Sequence, residues 1–398
     1  MGLFGEFDGL LEEIILYEIL PRLPLKSLIR FKLVSTLWNN FITHNNFLLA
    51  RNHHCNSRNL SDSTFFFNNA ERVISTRDDH NHHFKLSNPE FVNQFLFVRG
   101  SINGLFYGYC KSPYLNIFIC NPITKHVVYV PNPKHLIYFA LAVDTHNTPQ
   151  FGFLVVGIHI NDGRSNINSN WLNFEVYSSK AKRWRLASNA KLQVPHQKLP
   201  RFADPIFVGK KVYWSLVTHL LWFDVEKDVS GLIQCPDRDN LVFHSPKEYI
   251  SYMEFGVCSD SVISYSKMTK TGGIEVWLLK SKKEDHEEFK WVKKCNLSLQ
   301  LIFRQNWNIV SRFCCMIIRT PKKVGKVLAK RGYILPLPYQ GGELVWFILD
   351  LWSREGHRRK PYQKLFSINM ITRELKLYDG DFPLPSIRFS ATLLPCPT

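Results

Sequence analysis

Residues 116–130 read NIFICNPITKHVVYV: an apolar run from Ile117 to Cys120, a polar turn begun by Asn121 and Pro122, and a second apolar run from Val127 to Val130. An apolar segment, a turn of Asn, Ser, Asp, Lys or Thr and a second apolar segment make a β-hairpin by the alternation and turn rules. The same grammar returns in NFEVYSSKAKRWRL (173–186), HLLWFDVEKDVSGLI (219–233), IEVWLLKSKKEDHEEFKWVKK (274–294) and KLFSINMITRELKLY (364–378). Each hairpin is preceded by a further apolar stretch: GSINGLFYGYC, FGFLVVGIHI, VGKKVYWSLV, SDSVISYSK and GELVWFIL, in that order. Turn positions near Asn121, Ser178, Asp224, Lys280 and Asn369 lie 57, 46, 56 and 89 residues apart. Units of about 40–50 residues with about four strands each are the sequence form of a β-propeller blade. Five to seven blades are expected, the widest gap leaving room for a further unit built on RFCCMII and GYILPL.

The N-terminal forty residues follow a different period. In LLEEIILYEIL (10–20) the apolar residues Leu11, Ile14, Ile15, Leu16, Ile19 and Leu20 recur at helical spacing with Glu12, Glu13 and Glu18 between them. Pro21 is expected to end this helix, because it lacks a backbone donor and disfavours helical geometry in Leu20. Pro24 opens a second helical piece over Leu25 to Phe31, and Ser35 is placed to cap a third carrying Leu37, Trp38, Phe41 and Ile42 on one side. Three short helices cannot bury this much apolar surface among themselves, since domains below about 40 residues usually need outside help. The surplus predicts a partner, or else docking on the large domain.

Charge separates the two parts. The chain carries +17 over 398 residues, yet residues 1–42 hold five acids and four bases, so the remainder carries +18. A basic domain attracts nucleic acid, acidic lipid or an acidic protein. Two clusters stand out: RTPKKVGKVLAKR (319–331) with six bases and no acid, and REGHRRKP (354–361) with four bases and one acid. They read as nuclear import signals, phosphate contacts or solvated loops. The plentiful tryptophans sit mostly in strand phrases, where core packing explains them.

The chemistry of catalysis and metal binding is sparse. The sequence holds no GxSxG elbow, phosphate loop or HExxH pair. Asp78-Asp79 stands in a polar stretch that would not desolvate a catalytic dyad. His53, His54, Cys55, His80, His82 and His83 lack the spacing of a zinc finger, and Asp224, Glu226 and Asp228 fit a hairpin turn better than a cation site. No catalytic residue, metal or cofactor is expected. Nine scattered cysteines without a CxxC pair suit a reducing compartment, and Cys314-Cys315 is expected inside a strand. With an acidic start in place of a basic leader, and no apolar run near the roughly 20 residues of a membrane span, cytoplasm or nucleus is the expected location and no membrane partner is expected.

LLEEIILYEILPRLPLKSLIRFKLVSTLWNNFI (10–42) resembles the F-box, through Glu18-Ile19-Leu20, Arg22-Leu23-Pro24, Lys26-Ser27-Leu28, Arg30-Phe31, Val34-Ser35 and Trp38, with Leu11 where that family carries its first proline. The phrases GSINGL, ICNPITKHVVYVP, EVYSSKAKRWR, GKKVYWSL and LWFDVE resemble the F-box-associated, kelch-like domain of plant F-box proteins. The resemblance implies an α+β multidomain chain: a small three-helix F-box at 1–45, a polar connector at 46–90 with one short strand around Phe65 to Phe67, and a β-propeller-like domain at 91–398. It further implies a non-catalytic substrate-recognition subunit of a Skp-cullin-F-box ubiquitin ligase. The F-box would bind a Skp-type adaptor, and through it cullin, while the β domain holds a target protein. Adaptor contact is expected from Leu10, Leu11, Ile14, Ile15, Ile19, Pro24, Leu25 and Leu28. The alternatives are a basic nucleic-acid-binding or a glycan-binding propeller.

Overall fold

The computed structural model describes residues 14–23, 25–44 and 47 and, between 64 and 388, the helices, strands and turns named below. Five blades follow one another along the chain as four-stranded antiparallel sheets. The first is β4 (Phe95–Ile102), β5 (Leu105–Cys110), β6 (Ile117–Asn121) and β7 (His126–Val130), and the second β8 (Tyr138–Asp144), β9 (Gly152–Asn161), β10 (Ser169–Ser178) and β11 (Arg183–Pro195). The third is β12 (Ile206–Val208), β13 (Lys211–Ser215), β14 (His219–Asp224) and β15 (Val229–Gln234), and the fourth β16 (Met253–Ser259), β17 (Val262–Met268), β18 (Gly273–Ser281) and β19 (Phe289–Ser298). The fifth is β20 (Gly332–Pro336), β21 (Leu344–Glu355), β22 (Arg358–Asn369) and β23 (Leu375–Tyr378). A sixth sheet joins chain segments from both sides of these five: β24 (Ser386–Arg388) pairs with β1 (Thr64–Phe67), followed by β2 (Arg72–Ser75) and β3 (Phe84–Lys85). Neighbouring sheets meet through their first strands, β24 with β4, β4 with β8, β8 with β12, β12 with β16 and β16 with β20. This is a propeller of five sequential blades with a sheet of mixed origin beside the first.

The five hairpin phrases of the sequence are the third and fourth strands of the five sequential blades. Position within the blade explains their unequal apolarity. The third strand has neighbours on both faces, so β6 is buried along its whole length and β14 nearly so. The fourth strand is an edge, and β19 exposes Lys290, Lys293 and Lys294 among others. Lysine on an edge strand discourages pairing with other chains.

The core lies between blades. Phe174 of the second blade stacks on Phe223 of the third at 4.8 Å and 16°, within a cluster that also holds Val156, Val176, Trp214 and Leu221. Leu220, Trp222 and Ile233 join Ile263 and Leu279 across the next boundary. Phe347 stacks on Phe366 at 5.3 Å in the fifth blade, in a cluster shared with Ile274, Val276 and Leu297 of the fourth.

Three expectations change. The 46–90 stretch carries three strands rather than one, because Phe65–Phe67 pair with Ser386–Arg388 far along the chain as well as with β2. RFCCMII does not begin as a strand: α5 (Trp307–Cys314) follows α4 (Leu299–Gln305), and Phe303 and Val310 are buried against the fourth and fifth blades. The wide gap after Lys280 therefore holds this helical pair, and GYILP supplies β20, so no extra blade stands there among the described residues. Asn306 fixes the pair in place. Its Nδ2 donates to the carbonyls of Ile302 (2.9 Å) and Arg373 (3.0 Å), and its Oδ1 accepts from the Leu375 amide at 3.2 Å.

Candidate functional site: the apolar surface of the N-terminal helices

The N-terminal module has three helical pieces. The first, α1 (Ile14–Ile19), is a π-helical turn that tightens into a 3-10 turn over Leu20–Arg22. The helical structure thus ends one residue past Pro21, about where expected, with Pro21 in the first turn of the tighter segment, where a missing donor costs nothing. Arg22 pairs with Glu18 one turn back, and the Leu23 amide donates to the Leu20 carbonyl at 3.1 Å, ending the segment. Helix α2 spans Leu25–Phe31, the bounds read from Pro24 onward. Ser35 is extended and caps α3 (Thr36–Thr43): its Oγ accepts from the Trp38 amide at 3.1 Å.

Two opposite surfaces result. Leu20, Leu28, Ile42 and Phe47 are almost wholly buried and belong to the same core cluster as Leu105, Tyr107, Ile117, Phe139 and Val155 of the first two blades. Edge-on ring contacts, Tyr17 with Phe41 at 5.4 Å and Phe31 with Trp38 at 5.2 Å, tie the helices together. Docking on the large domain, one of the two expected uses of the surplus apolar surface, accounts for part of it. The rest faces solvent. Ile14, Tyr17, Ile19, Ile29, Val34 and Leu37 are exposed, and Leu33 is 87% exposed in the turn joining α2 to α3. Seven large apolar side chains are thus exposed within 24 residues of these helices and their turn.

The expected adaptor set divides across these surfaces. Ile14 and Ile19 are exposed, Ile15 is half-buried, and Leu28 has no exposure. Leu10, Leu11 and Pro24 lie outside the described residues, and of Leu25 only its place in α2 is described. Tyr17, Ile29, Leu33, Val34 and Leu37 are exposed apolar residues outside that set, because a helical-period search selects the widest apolar face, and here part of that face packs inward. Three of them, Leu33, Val34 and Leu37, stand in the apolar LVSTLW stretch around the α2–α3 turn.

Elsewhere the candidate polar sites serve the fold. Asp224 Oδ1 accepts from the Glu226 and Lys227 amides at 3.0 Å each, Glu226 pairs with Lys210 at 2.6 Å, and Asp228 forms a two-pronged pair with Arg185. Among the described residues no group of three metal-ligating side chains occurs, and no helix is long and apolar enough to cross a membrane. The His53–His83 cluster, Asp78-Asp79 and the 319–331 basic run lie outside the described residues.

Comparison with known proteins agrees with this division. Residues 11–49 match the F-box domain family. An F-box protein of Arabidopsis thaliana is 27% identical over 249 residues, covering 57% of this chain and 57% of that protein, so the chain spans little more than half of its relative's length. Similar solved structures include the β-propeller domain of Vanderwaltozyma polyspora Nup133 (8% identity, 69% of this chain and 63% of that one, TM-score 0.36). The N-terminal domain of Nup159 is another (11% identity, 79% and 67%, TM-score 0.35). At such scores they carry no argument about this chain. Residues 11–49 thus carry an F-box domain, a β-propeller follows it, and the chain is similar to a plant F-box protein.

Proposed function

We propose that the protein is the substrate-recognition subunit of a Skp-cullin-F-box ubiquitin ligase. The F-box binds a Skp-type adaptor, the adaptor brings cullin, and the propeller of residues 91–398, together with strands from the 46–90 connector, holds a target protein. The chain performs no chemistry in this reading. It raises the effective concentration of a target lysine at the ubiquitin-charged enzyme. The observation that carries it is the seven-residue exposed apolar surface on the helices that match the F-box. Adaptor contact is assigned to Leu10, Leu11, Ile14, Ile19, Pro24 and Leu25 of the expected set, joined by Leu33, Val34 and Leu37, with Ile15 at the margin and Leu28 moved to the internal core.

Co-purification with a Skp-type adaptor is the test. Leu33→Asp with Leu37→Asp is expected to abolish capture without changing the melting temperature, because both side chains already stand in water. Unchanged capture by that pair, or no capture by the native chain, removes the assignment.

A further inference from the structure

Turns of the second and third blades bring charge together at one end of the propeller. The β10–β11 turn carries Lys180, Lys182 and Arg183, with Arg185 two residues on, and the β14–β15 turn carries Asp224, Glu226, Lys227 and Asp228. The β12–β13 turn adds Lys210. Contacts join the three turns. Arg185 forms its two-pronged pair with Asp228, Lys210 pairs with Glu226 at 2.6 Å, and the Val225 amide donates to the Lys210 carbonyl at 2.9 Å. Behind them β11 packs beside β15, where Ser230 Oγ donates to the Ala190 carbonyl at 3.0 Å.

Six bases thus stand in this patch against three acids. The acids already have partners: Asp224 is buried and accepts two turn amides, Glu226 holds Lys210, and Asp228 holds Arg185. What remains is cationic. Lys182, Arg183 and Lys227 are exposed and, among the described residues, have no carboxylate beside them. Lys211, next to Lys210, turns away from the patch, its ammonium 4.6 Å from the centre of the Trp222 ring.

We propose that this patch holds an acidic segment of the target protein, an inference that rests on the reading of the propeller as the part that holds a target. Charges across a protein interface are arranged for complementary potential. A protein segment can set its carboxylates opposite Lys182, Arg183 and Lys227 and leave Glu226 and Asp228 to their own partners. Nucleic acid lacks that freedom. Double-stranded DNA carries one charge per roughly 1.7 Å of axis, so its phosphates would also lie against Glu226 and Asp228, whose side chains are 24% and 22% exposed. Phosphate is read through an open guanidinium fork, and the fork of Arg185 is taken by Asp228. The location suits a receptor. Tyr177, close to the β10–β11 turn, belongs to the core cluster that holds Leu28 and Ile42, so the blade that supplies Lys182 and Arg183 is also one on which the F-box docks.

The test is fluorescence anisotropy of the full chain with a fluorescein-labelled polyglutamate peptide of about 12 residues, which extends roughly 40 Å. The native chain is expected to bind it, and more weakly as potassium chloride is raised, because salt screens exposed charges. Lys182→Glu, Arg183→Glu and Lys227→Glu together are expected to lower affinity about tenfold or more at roughly 50 mM salt, and the same three changed to glutamine about threefold. Both variants are expected to keep the native melting temperature, since all three side chains stand in water. Lys294→Glu, Arg304→Glu and Arg373→Glu make the same change of charge at the fourth and fifth blades and are expected to leave affinity within about twofold. No binding at roughly 50 mM salt, equal binding by the first triple, or an equal loss from this second triple overturns the proposal. Tighter binding of a DNA duplex through the same three residues also overturns it, in favour of nucleic acid. So does loss of adaptor capture by the first triple at native melting temperature, which assigns the patch to the adaptor. A native chain that captures the adaptor but binds no peptide removes this inference alone. One that binds the peptide through these residues but captures no adaptor removes the ligase reading and leaves the acidic-segment site standing.

Discussion

Glu275 shows what one buried charge does in this propeller. Its carboxylate accepts from Lys293 at 2.9 Å and from Trp277 Nε1 at 3.3 Å, and lies 3.4 Å from the ammonium of Lys267, whose side chain is 5% exposed. Burial alone pushes this carboxyl up, but the Lys293 hydrogen bond and the two ammonium charges outweigh it and hold the group below the ordinary carboxylate range. A carboxyl depressed on folding contributes stability above its unfolded value, about 4.3, and that contribution is lost as pH falls through the lower folded value. The melting temperature is therefore expected to drop as pH falls from about 4.5, and Glu275→Gln to flatten that part of the profile. Glu275→Ala leaves Lys267 buried without its carboxylate, and a cost of about 3–5 kcal/mol is expected by urea unfolding at pH 7. The thiols follow the opposite rule. Burial pushes Cys235 up to about 12 and Cys295 up to about 11, so neither is a thiolate near neutrality. Mass spectrometry after iodoacetamide treatment at pH 8 is expected to find Cys235 unlabelled in the native protein and labelled in urea.

At the scale of the element, the hairpin turns share one device. Ser178, Asp224 and Asn369 each end a strand, and each side-chain oxygen accepts amides two or three residues on: Ala181 at 3.3 Å, Glu226 and Lys227 at 3.0 Å, Ile371 at 2.8 Å and Thr372 at 3.0 Å. Four residues after each, Lys182, Asp228 and Arg373 adopt positive φ of 51°, 52° and 61°. Because the device is local, it was legible in the sequence: an Asn, Asp or Ser between two apolar runs marked four of the blades correctly, Asn121 among them. Asp224→Ala is expected to cost about 1–3 kcal/mol by leaving two turn amides without their acceptor, and Asp224→Asn much less, since the amide oxygen still accepts. Adding calcium is expected to shift neither, because the three acids of this turn already hold amides, Lys210 and Arg185. The α4–α5 pair was not legible. WNIVSRFC carries the same apolar density as a strand, and what selects a helix is the packing of Phe303 and Val310 into a cluster drawn from two blades. Asn306→Ala removes two hydrogen bonds that join this pair to the β22–β23 hairpin and one within the pair, and a loss of about 2 kcal/mol is expected in urea unfolding.

The whole molecule is held by two contacts that no local pattern announces. Blade count and strand phrases are short-range properties, so the sequence shows them; the pairing of Phe65–Phe67 with Ser386–Arg388 spans more than 300 residues and leaves no periodic trace. The same holds for the helices. Apolar spacing shows that residues 14–42 have a face to bury, but only the fold shows that Leu20, Leu28 and Ile42 bury it in the cluster of the first and second blades. The F-box is thus part of the propeller's core on one side and an open surface on the other, and the two sides are separable by mutation. Leu28→Ala deletes a side chain with no exposure, and a destabilisation of about 2–5 kcal/mol is expected. That loss should appear in the same unfolding transition as the loss from Phe153→Ala, a second-blade residue of the same cluster. Leu33→Asp, on the open side, should leave that transition in place. Differential scanning calorimetry distinguishes the outcomes: if Leu28→Ala melts the helices in a separate early transition and leaves the main one unmoved, the shared core is not a cooperative unit, and the F-box is instead free to move relative to whatever the propeller holds.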